Sequence, residues 1–456
     1  MKILVLNGSP KGTNSITLQT VLYLEKIYSN IEFEYLHVGQ KIKAYEKDFS
    51  KVSDSLEKAE IILFAYPVYT FLAPAQLHRF IELMKTSNID FTGKIASQIT
   101  TSKHFYDVTA HKYIEENCLD MGMKFIKGLS SDMDDLYHKE GQQQAKMYFE
   151  NLLFSIENDC FVTKKSITTK PQKALYKPEF EEVAKTKNYD IVILTNYDES
   201  DLNLQNMIAD FRKVLPNKSR VVNIKNFPFS AGCLGCFKCT ATGKCVHKDN
   251  FDEFLRKEIQ IADAIVYAFT IKDHFTDSSM KFYDDRQFCN GHRQVTEGMQ
   301  VAYLISGNYS NEPNLQMVLE GRCEVGGTYL SGIATDETDN TANEINKLAK
   351  SLIFALDNNL SRPKNFYGVG GNKIFRDLVY LMQGMMKADH KFYKEHKNYD
   401  FPQKKKGTIL GIKFVGAMMR NKKISKKIGD MNKYILMPYK KVLDDVDKQT
   451  VDCKNK

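Results

Sequence analysis

The stretch Lys58-Ala-Glu-Ile-Ile-Leu-Phe-Ala65 recurs in the second half of the chain as Ile261-Ala-Asp-Ala-Ile-Val-Tyr-Ala268. Each copy is a short apolar run rich in β-forming residues, entered through a polar, helix-compatible segment. Recurrence of such a unit in the same order suggests duplication of one fold. It restricts the chain to architectures in which two similar sheets are each built from their own half.

The surrounding pattern agrees. Strand-like runs at 3–6, 61–65 and 94–100 alternate with helical spacing at 17–28 and 75–84. Strands separated by helices point to a parallel α/β sheet. A Lys/Thr-rich stretch over 163–178, containing Pro171 and Pro178, reads as a linker. The alternation then restarts, with strands at 189–195, 219–224, 264–270 and 300–306 and a helix at 203–214, and ends near residue 358. Beyond about 365 the character changes. Residues 374–392 show apolar positions at helical intervals with lysines between. Residues 408–419 are apolar, and Lys404-Lys-Lys406 and Arg420-Asn-Lys-Lys423 flank them. A dozen apolar residues are too few to span a bilayer but suit an interfacial or packing helix.

At 456 residues the chain has room for about three domains by the usual length prior. The start lacks the apolar stretch and small-residue cleavage site of a signal peptide, so a cytoplasmic location with reduced thiols is expected. The net charge of +8 is unevenly distributed. Residues 361–456 carry 23 Lys/Arg against 9 Asp/Glu, whereas residues 1–360 carry 41 against 47. A mildly acidic body with a basic tail is compatible with tail helices packed on the core. It is also compatible with a tail that touches a membrane surface or an acidic partner. A nucleic-acid partner is not expected.

Four of the nine cysteines fall in Cys233-Leu-Gly-Cys236-Phe-Lys-Cys239-Thr-Ala-Thr-Gly-Lys-Cys245. A C-x2-C-x2-C-x5-C set is too dense for disulfides in a reducing compartment and fits an iron–sulfur cluster better than a zinc ribbon. Zinc, a redox-active dithiol and a loop with no metal remain open on spacing alone. Cys118, Cys160, Cys289, Cys323 and Cys453 are scattered and read as unpaired.

The first strand runs into Asn7-Gly8-Ser9-Pro10-Lys11-Gly12-Thr13-Asn14-Ser15-Ile16-Thr17. Gly8 and Gly12 permit tight turns, and Ser9, Asn14, Ser15 and Thr17 offer donors. The helix N-terminus behind them adds free N–H groups that suit a phosphate. No triphosphate-binding G-x-x-x-x-G-K-[ST] pattern is present. After the strand at 61 come Tyr66-Pro67-Val68-Tyr69-Thr70-Phe71-Leu72-Ala73-Pro74-Ala75-Gln76-Leu77, with prolines and aromatics able to line a slot for a planar ring. Thr100-Thr-Ser-Lys-His104 follows a further strand and offers donors to such a ring's edge.

The combination G-S-P-x-x-x-x-S-x-T, P-V-Y and P-A-Q-L resembles the flavodoxin-like NADPH-dependent FMN reductase family. That resemblance implies FMN, with its phosphate at Ser9, Asn14, Ser15 and Thr17 and with Lys11 and Ile16 in the same loop. The ring would lie against Pro67, Val68, Tyr69 and Phe71, with Thr100, Thr101 and Ser102 at its side. The family often carries a Cys-rich segment before the P-V-Y strand, and here that place reads His37-Val-Gly-Gln-Lys-Ile-Lys-Ala-Tyr-Glu without cysteine. The cysteine set of the second half resembles the iron–sulfur flavoproteins. This implies Cys233, Cys236, Cys239 and Cys245 as ligands of a [4Fe–4S] cluster, with Gly235 and Gly243 letting the backbone fold around it.

The second half lacks a phosphate loop of its own. Asn196-Tyr-Asp-Glu-Ser-Asp-Leu-Asn203 has no glycine, and its three carboxylates would repel a phosphate. Thr270-Ile-Lys-Asp-His274 stands where the first half has Pro67-Val68-Tyr69. His247, Asp249, His274 and Asp277 lie near these elements, and Tyr283-Asp-Asp-Arg286 reads as a packing helix.

The expected architecture is α/β, with two tandem flavodoxin-like doubly wound parallel-sheet domains and a basic helical C-terminal region. Its parts are an FMN-binding domain at 1–160, a linker at 161–187, a second domain with the cysteine set at 188–360 and the tail at 361–456. The expected function is electron transfer between NAD(P)H or a reduced carrier, FMN and a small acceptor such as a quinone or a protein carrier. The two halves would form an internal pseudo-dimer, with further homo-oligomerisation open. Alternatives are an FMN or quinone reductase with an empty cysteine loop and a non-catalytic electron-transfer protein docking through its tail. No catalytic side chain stands out.

Overall fold

The computed structural model describes residues 1–162 and 175–420. Residues 163–174 of the expected linker, and the tail beyond 420, lie outside the described residues.

The first sheet contains β1 (Lys2–Asn7), β2 (Glu32–Leu36), β3 (Ile61–Pro67), β4 (Ile95–Ser102), β5 (Lys124–Phe125) and β6 (Leu129–Asp132). All pairs are parallel, in the order β2-β1-β3-β4-β5 with β6 also on β4. Its helices are α1 (Ile16–Ile27), α2 (Val38–Lys47), α3 (Ser50–Lys58), α4 (Ala75–Thr86), α5 (Asp107–Asp120) and α6 (Lys139–Glu157). β1 and β3 are buried on both faces, which is why they read as continuous apolar runs rather than alternating ones.

The second sheet contains β7 (Lys187–Thr195), β8 (Asn217–Asn223), β9 (Ala264–Thr270), β10 (Gln300–Ser306) and β11 (Tyr329–Thr335), in the order β8-β7-β9-β10-β11. These pairs too are parallel. The helices are α7 (Leu202–Val214), α8 (Lys238–Thr242), α9 (Phe251–Phe254), α10 (Ser278–Arg286), α11 (Pro313–Gly326) and α12 (Thr341–Asp357). The recurring apolar runs of the sequence are thus the equivalent strands β3 and β9.

The likeness extends to a feature that local propensity disfavours. After β3, Tyr69 and Leu72 exchange backbone hydrogen bonds of 2.8 and 3.0 Å around Thr70 and Phe71, whose φ values are +42° and +71°. After β9, Lys272 and Phe275 do the same at 3.2 and 3.0 Å around Asp273 and His274, at +52° and +64°. Two adjacent left-handed non-glycine residues are costly, and both halves adopt them at the same place.

Residues Met1–His396 form one compact unit. One of its hydrophobic core clusters spans both halves, from Leu4, Phe64 and Phe80 of the first to Phe275, Tyr303 and Leu319 of the second. α4 packs on α10 and α5 on α11, so the halves meet through equivalent helices. Two further helices, α13 (Phe366–Leu381) and α14 (Lys387–Glu395), belong to this unit, with α13 on α11 and α14 on α8. The sequence suggests one helical stretch over 374–392. The structure breaks it at Met382–Met386, where Gly384 lies in the turn. The second unit, Lys397–Lys456, contains α15 (Lys406–Met419), whose Leu410, Ile412 and Phe414 are exposed. Among the described residues no helix is long and apolar enough to cross a membrane.

Candidate flavin and cysteine site

β1 delivers the chain into a loop that its own side chains brace. Buried Asn7 donates to the Gly12 carbonyl at 2.8 Å and accepts from the Ser9 N–H at 3.1 Å. Ser9 Oγ accepts from the Lys11 N–H at 3.3 Å. Gly12, at φ +56°, turns the chain, and Ser15 caps α1 by accepting from the Leu18 N–H at 3.3 Å. Gly39 of α2 lies against the Gly8 and Ser9 backbone, where any Cβ would collide. In place of a cysteine segment, the first half therefore has a helix that closes one side of this loop.

The loop opens into a cavity of about 190 Å³. Ser9, Lys11, Ser15, Ile16 and Thr17 line one end. Pro67, Val68 and Tyr69 line a wall, and Thr101 and Ser102 the flank. Three of the expected residues lie elsewhere. Asn14 is exposed. Phe71 is buried against Phe105 and Tyr106, with ring centroids 5.0 and 4.2 Å apart. Thr100 Oγ1 is tied to His111 Nε2 at 2.7 Å, inside the fold. The left-handed turn at Thr70 and Phe71 rotates Phe71 inward, which the strand periodicity does not reveal.

The second half supplies the opposite wall. Cys233, Cys236, Cys239 and Cys245 all line the same cavity, beside Leu234 and Phe237. Gln76 of α4 donates to the Cys233 carbonyl at 3.3 Å, and Lys43 of α2 donates to the Ser230 carbonyl. Gly235, at φ +59°, lies so near the Tyr69 hydroxyl that a Cβ would overlap it. Lys11 Nζ stands 5.5 Å from the centroid of the Phe237 ring. The cysteine loop and the Gly8–Thr17 loop therefore line one cavity.

The cysteine loop is held by a buried guanidinium. Arg286 makes a bidentate pair with Asp249 at 2.7 and 2.6 Å, donates to the Ala231 carbonyl at 2.8 Å and reaches Cys245 Sγ at 3.9 Å. His247 Nε2 lies 3.1 Å from the Gly232 carbonyl. The Gly235 N–H donates to Cys233 Sγ at 3.4 Å. Burial pushes the Cys233 thiol well above its ordinary range and the Cys239 thiol up to about 11, so protons must leave when a soft metal binds.

Two observations bear on what the site accommodates. Thr101 Oγ1 is buried at the cavity wall without a hydrogen-bond partner, an orphaned group that a polar ring edge would satisfy. The cysteine sulfurs share a wall but do not close on one point. Among the described residues the only set of three or more His, Cys, Asp or Glu ligand atoms gathered within 4.8 Å of one another is that of Glu116, His274 and Glu312. A mononuclear tetrahedral ion needs its thiolates close together, whereas a cubane spreads them over separate corners.

The corresponding place in the second half is closed by its own side chains. Lys272, at the position of Tyr69, pairs with Asp201 at 3.4 Å, and Lys225 pairs with Asp198 at 3.0 Å. Two of the three carboxylates that disfavour a phosphate, Asp198 and Asp201, are thus paired internally. Asp277 caps α10, and His274 bridges Asp120 and Glu312, both at 2.9 Å.

Sequence reasoning missed other cavity residues: Arg286, Phe288 and His292 of the second half, and Ile374, Phe375 and Leu378 of α13. No local motif marks them, because they reach the site from distant elements.

A parallel sheet of strand order 2-1-3-4-5, with a tight loop after its first strand and a slot after its third, is the flavodoxin-like architecture. Residues 1–129 match the family described as NADPH-dependent FMN reductase. An iron–sulfur flavoprotein of Archaeoglobus fulgidus is 25% identical over 171 residues, covering 36% of this chain and 77% of that protein. Among solved structures, an NADH:FMN oxidoreductase in its apo form is 17% identical, over 34% of this chain and 89% of that one, with a TM-score of 0.29. An NADPH-quinone reductase from P. pentosaceus is 16% identical, over 33% and 97%, with a TM-score of 0.27.

Proposed function

We propose that the chain is an NAD(P)H-dependent FMN oxidoreductase whose flavin site is completed by the cysteine loop of its own second half. The observation that carries this reading is the shared cavity, with Ser9, Ser15 and Thr17 at one end and Cys233–Cys245 residues on the facing wall. Ser9, Lys11, Ser15 and Thr17 would hold the flavin phosphate at the α1 N-terminus. Pro67, Val68 and Tyr69 would lie along the ring, with Thr101 and Ser102 at its polar edge. Bound FMN supplies hydride acceptance and electron delivery in one or two steps, and the protein supplies position and electrostatics. Cys233, Cys236, Cys239 and Cys245 would hold a [4Fe–4S] cluster beside it, with the Gly235 N–H and Arg286 as donors to sulfur.

The two halves are then a duplicated unit forming an internal pseudo-dimer, with domains near 1–160 and 188–360. The acceptor is a small molecule of the quinone type or a protein carrier, and the basic tail is the segment suited to an acidic or membrane surface. A second reading, an FMN reductase with no metal in the cysteine loop, draws support from the open arrangement of the four sulfurs. The test is an anaerobic absorption spectrum with FMN, iron and acid-labile sulfide quantified on the purified chain. FMN near one per chain with about four irons and four sulfides supports the full proposal. FMN without iron supports the second reading, and absence of FMN removes both.

A further inference from the structure

The C-terminal helices give this cavity a histidine held in one orientation. His292 lines the cavity, and its Nδ1 lies 2.9 Å from Asp389 Oδ2, while its own backbone N–H donates to the same oxygen at 3.0 Å. A carboxylate only accepts, so Nδ1 carries a proton and Nε2 is the nitrogen left for the cavity. Among the described residues Nε2 has no hydrogen-bond partner. Asp389 is fully buried on α14, and Arg293 Nε stands 3.3 Å from its other oxygen. Gly291, at φ +61°, makes room for the carboxylate, since a Cβ there would collide with it. Tyr393 of α14 donates to the His292 carbonyl at 3.0 Å, and Phe375 of α13 packs edge-on against the imidazole at 4.8 Å. Backbone, imidazole edge and Nδ1 are each fixed from a different side.

We propose that His292 is a catalytic residue that delivers a proton to a quinone-type acceptor in this cavity, and that Asp389 is its positioning residue. The proposal rests on the flavin oxidoreductase reading above. A quinone becomes a hydroquinone by gaining two electrons and two protons. NAD(P)H gives up a hydride, which carries both electrons and one proton. The other proton passes from imidazolium Nε2 to a quinone oxygen, and the neutral imidazole is reprotonated from solvent. NAD(P)H, quinone and one proton thus yield NAD(P)⁺ and hydroquinone. A one-electron acceptor such as ferricyanide needs no proton and bypasses His292.

The test compares NAD(P)H-driven turnover of 1,4-benzoquinone and of ferricyanide by the full chain and by its His292→Gln and Asp389→Asn variants, with FMN content measured on each preparation. The expected result is a fall with benzoquinone about a hundredfold or more greater than with ferricyanide for His292→Gln, the lower end of what positioned acids contribute. Asp389→Asn, which keeps the imidazole, should show the same bias to a smaller degree. The wild type should show a solvent deuterium isotope effect with benzoquinone and not with ferricyanide. Equal losses with both acceptors, or no isotope effect, overturn the proposal. A wild type that holds no FMN or reduces neither acceptor overturns the flavin reading and this proposal with it.

Discussion

Asp285, near the end of α10, accepts a hydrogen bond from the backbone N–H of Ala75, at the start of α4, at 2.7 Å. The equivalent contact exists in reverse: Glu82 of α4 accepts from the backbone N–H of Ser278, at the start of α10, at 2.5 Å, and from its hydroxyl at 2.8 Å. Each half thus caps the other's helix with a carboxylate from the matching position. Such reciprocity is the mark of a two-fold interface, here within one chain.

The Asp285 contact is not symmetric in chemistry. Asp285 also pairs with Lys281, which donates to the Tyr69 carbonyl at 2.9 Å, and both side chains are fully buried. Burial pushes the Asp285 carboxyl up and the Lys281 amine down. Asp285→Ala leaves a buried ammonium without its partner and should cost about 3–5 kcal/mol. Urea unfolding should register this as a lower midpoint, with a much smaller loss for the double variant Lys281→Met/Asp285→Leu.

His274 joins the halves by charge. Burial works against its protonation, but hydrogen bonds to Asp120 and Glu312 outweigh it and push its pKa from 6.5 up to about 10. A raised folded-state value means the ion pairs stabilise fully below about pH 6.5, and the contribution is lost as pH rises towards 10. Thermal unfolding from pH 6 to pH 10 should therefore show a decline that His274→Gln flattens.

Gly235 is required by what it faces. A Cβ would meet the Tyr69 hydroxyl, and φ +59° disfavours any side chain. Gly235→Ala should displace the cysteine loop from Tyr69 and lower both iron and flavin content. Adding Tyr69→Phe should restore part of each, since it removes the overlapping oxygen, while the ring carbon at 2.9 Å and a backbone strain of about 1 kcal/mol remain.

Thr101 tests the flavin end. Its buried hydroxyl has no partner, so Thr101→Val should leave the stability of the flavin-free chain unchanged or slightly higher. FMN affinity should fall by roughly tenfold, the equivalent of one hydrogen bond of about 1.4 kcal/mol. Flavin fluorescence titration of the two proteins decides it.

The sequence by itself marked β1, β3, β4, β7, β8, β9 and β10 and the two loops that matter, but not β2, β5, β6 or β11. β1, β3, β9 and β10 announce themselves because a strand buried on both faces must be apolar throughout, whatever it packs against. The Gly8–Thr17 loop and the four cysteines were visible because their chemistry is confined to a few adjacent residues. The acidic loop of the second half, at the place of the Gly8–Thr17 loop, was readable too. That Lys225 and Lys272 pair with Asp198 and Asp201 was not. Only the tertiary structure brought the cysteine loop against Tyr69, turned Phe71 and Thr100 away from the cavity, and set Asp389 behind His292. Those relationships join residues far apart in the chain, and periodicity records whether a residue is buried, never which partner buries it. The pseudo-two-fold packing of α4 on α10 supplies that information, and with it the single site shared by both halves.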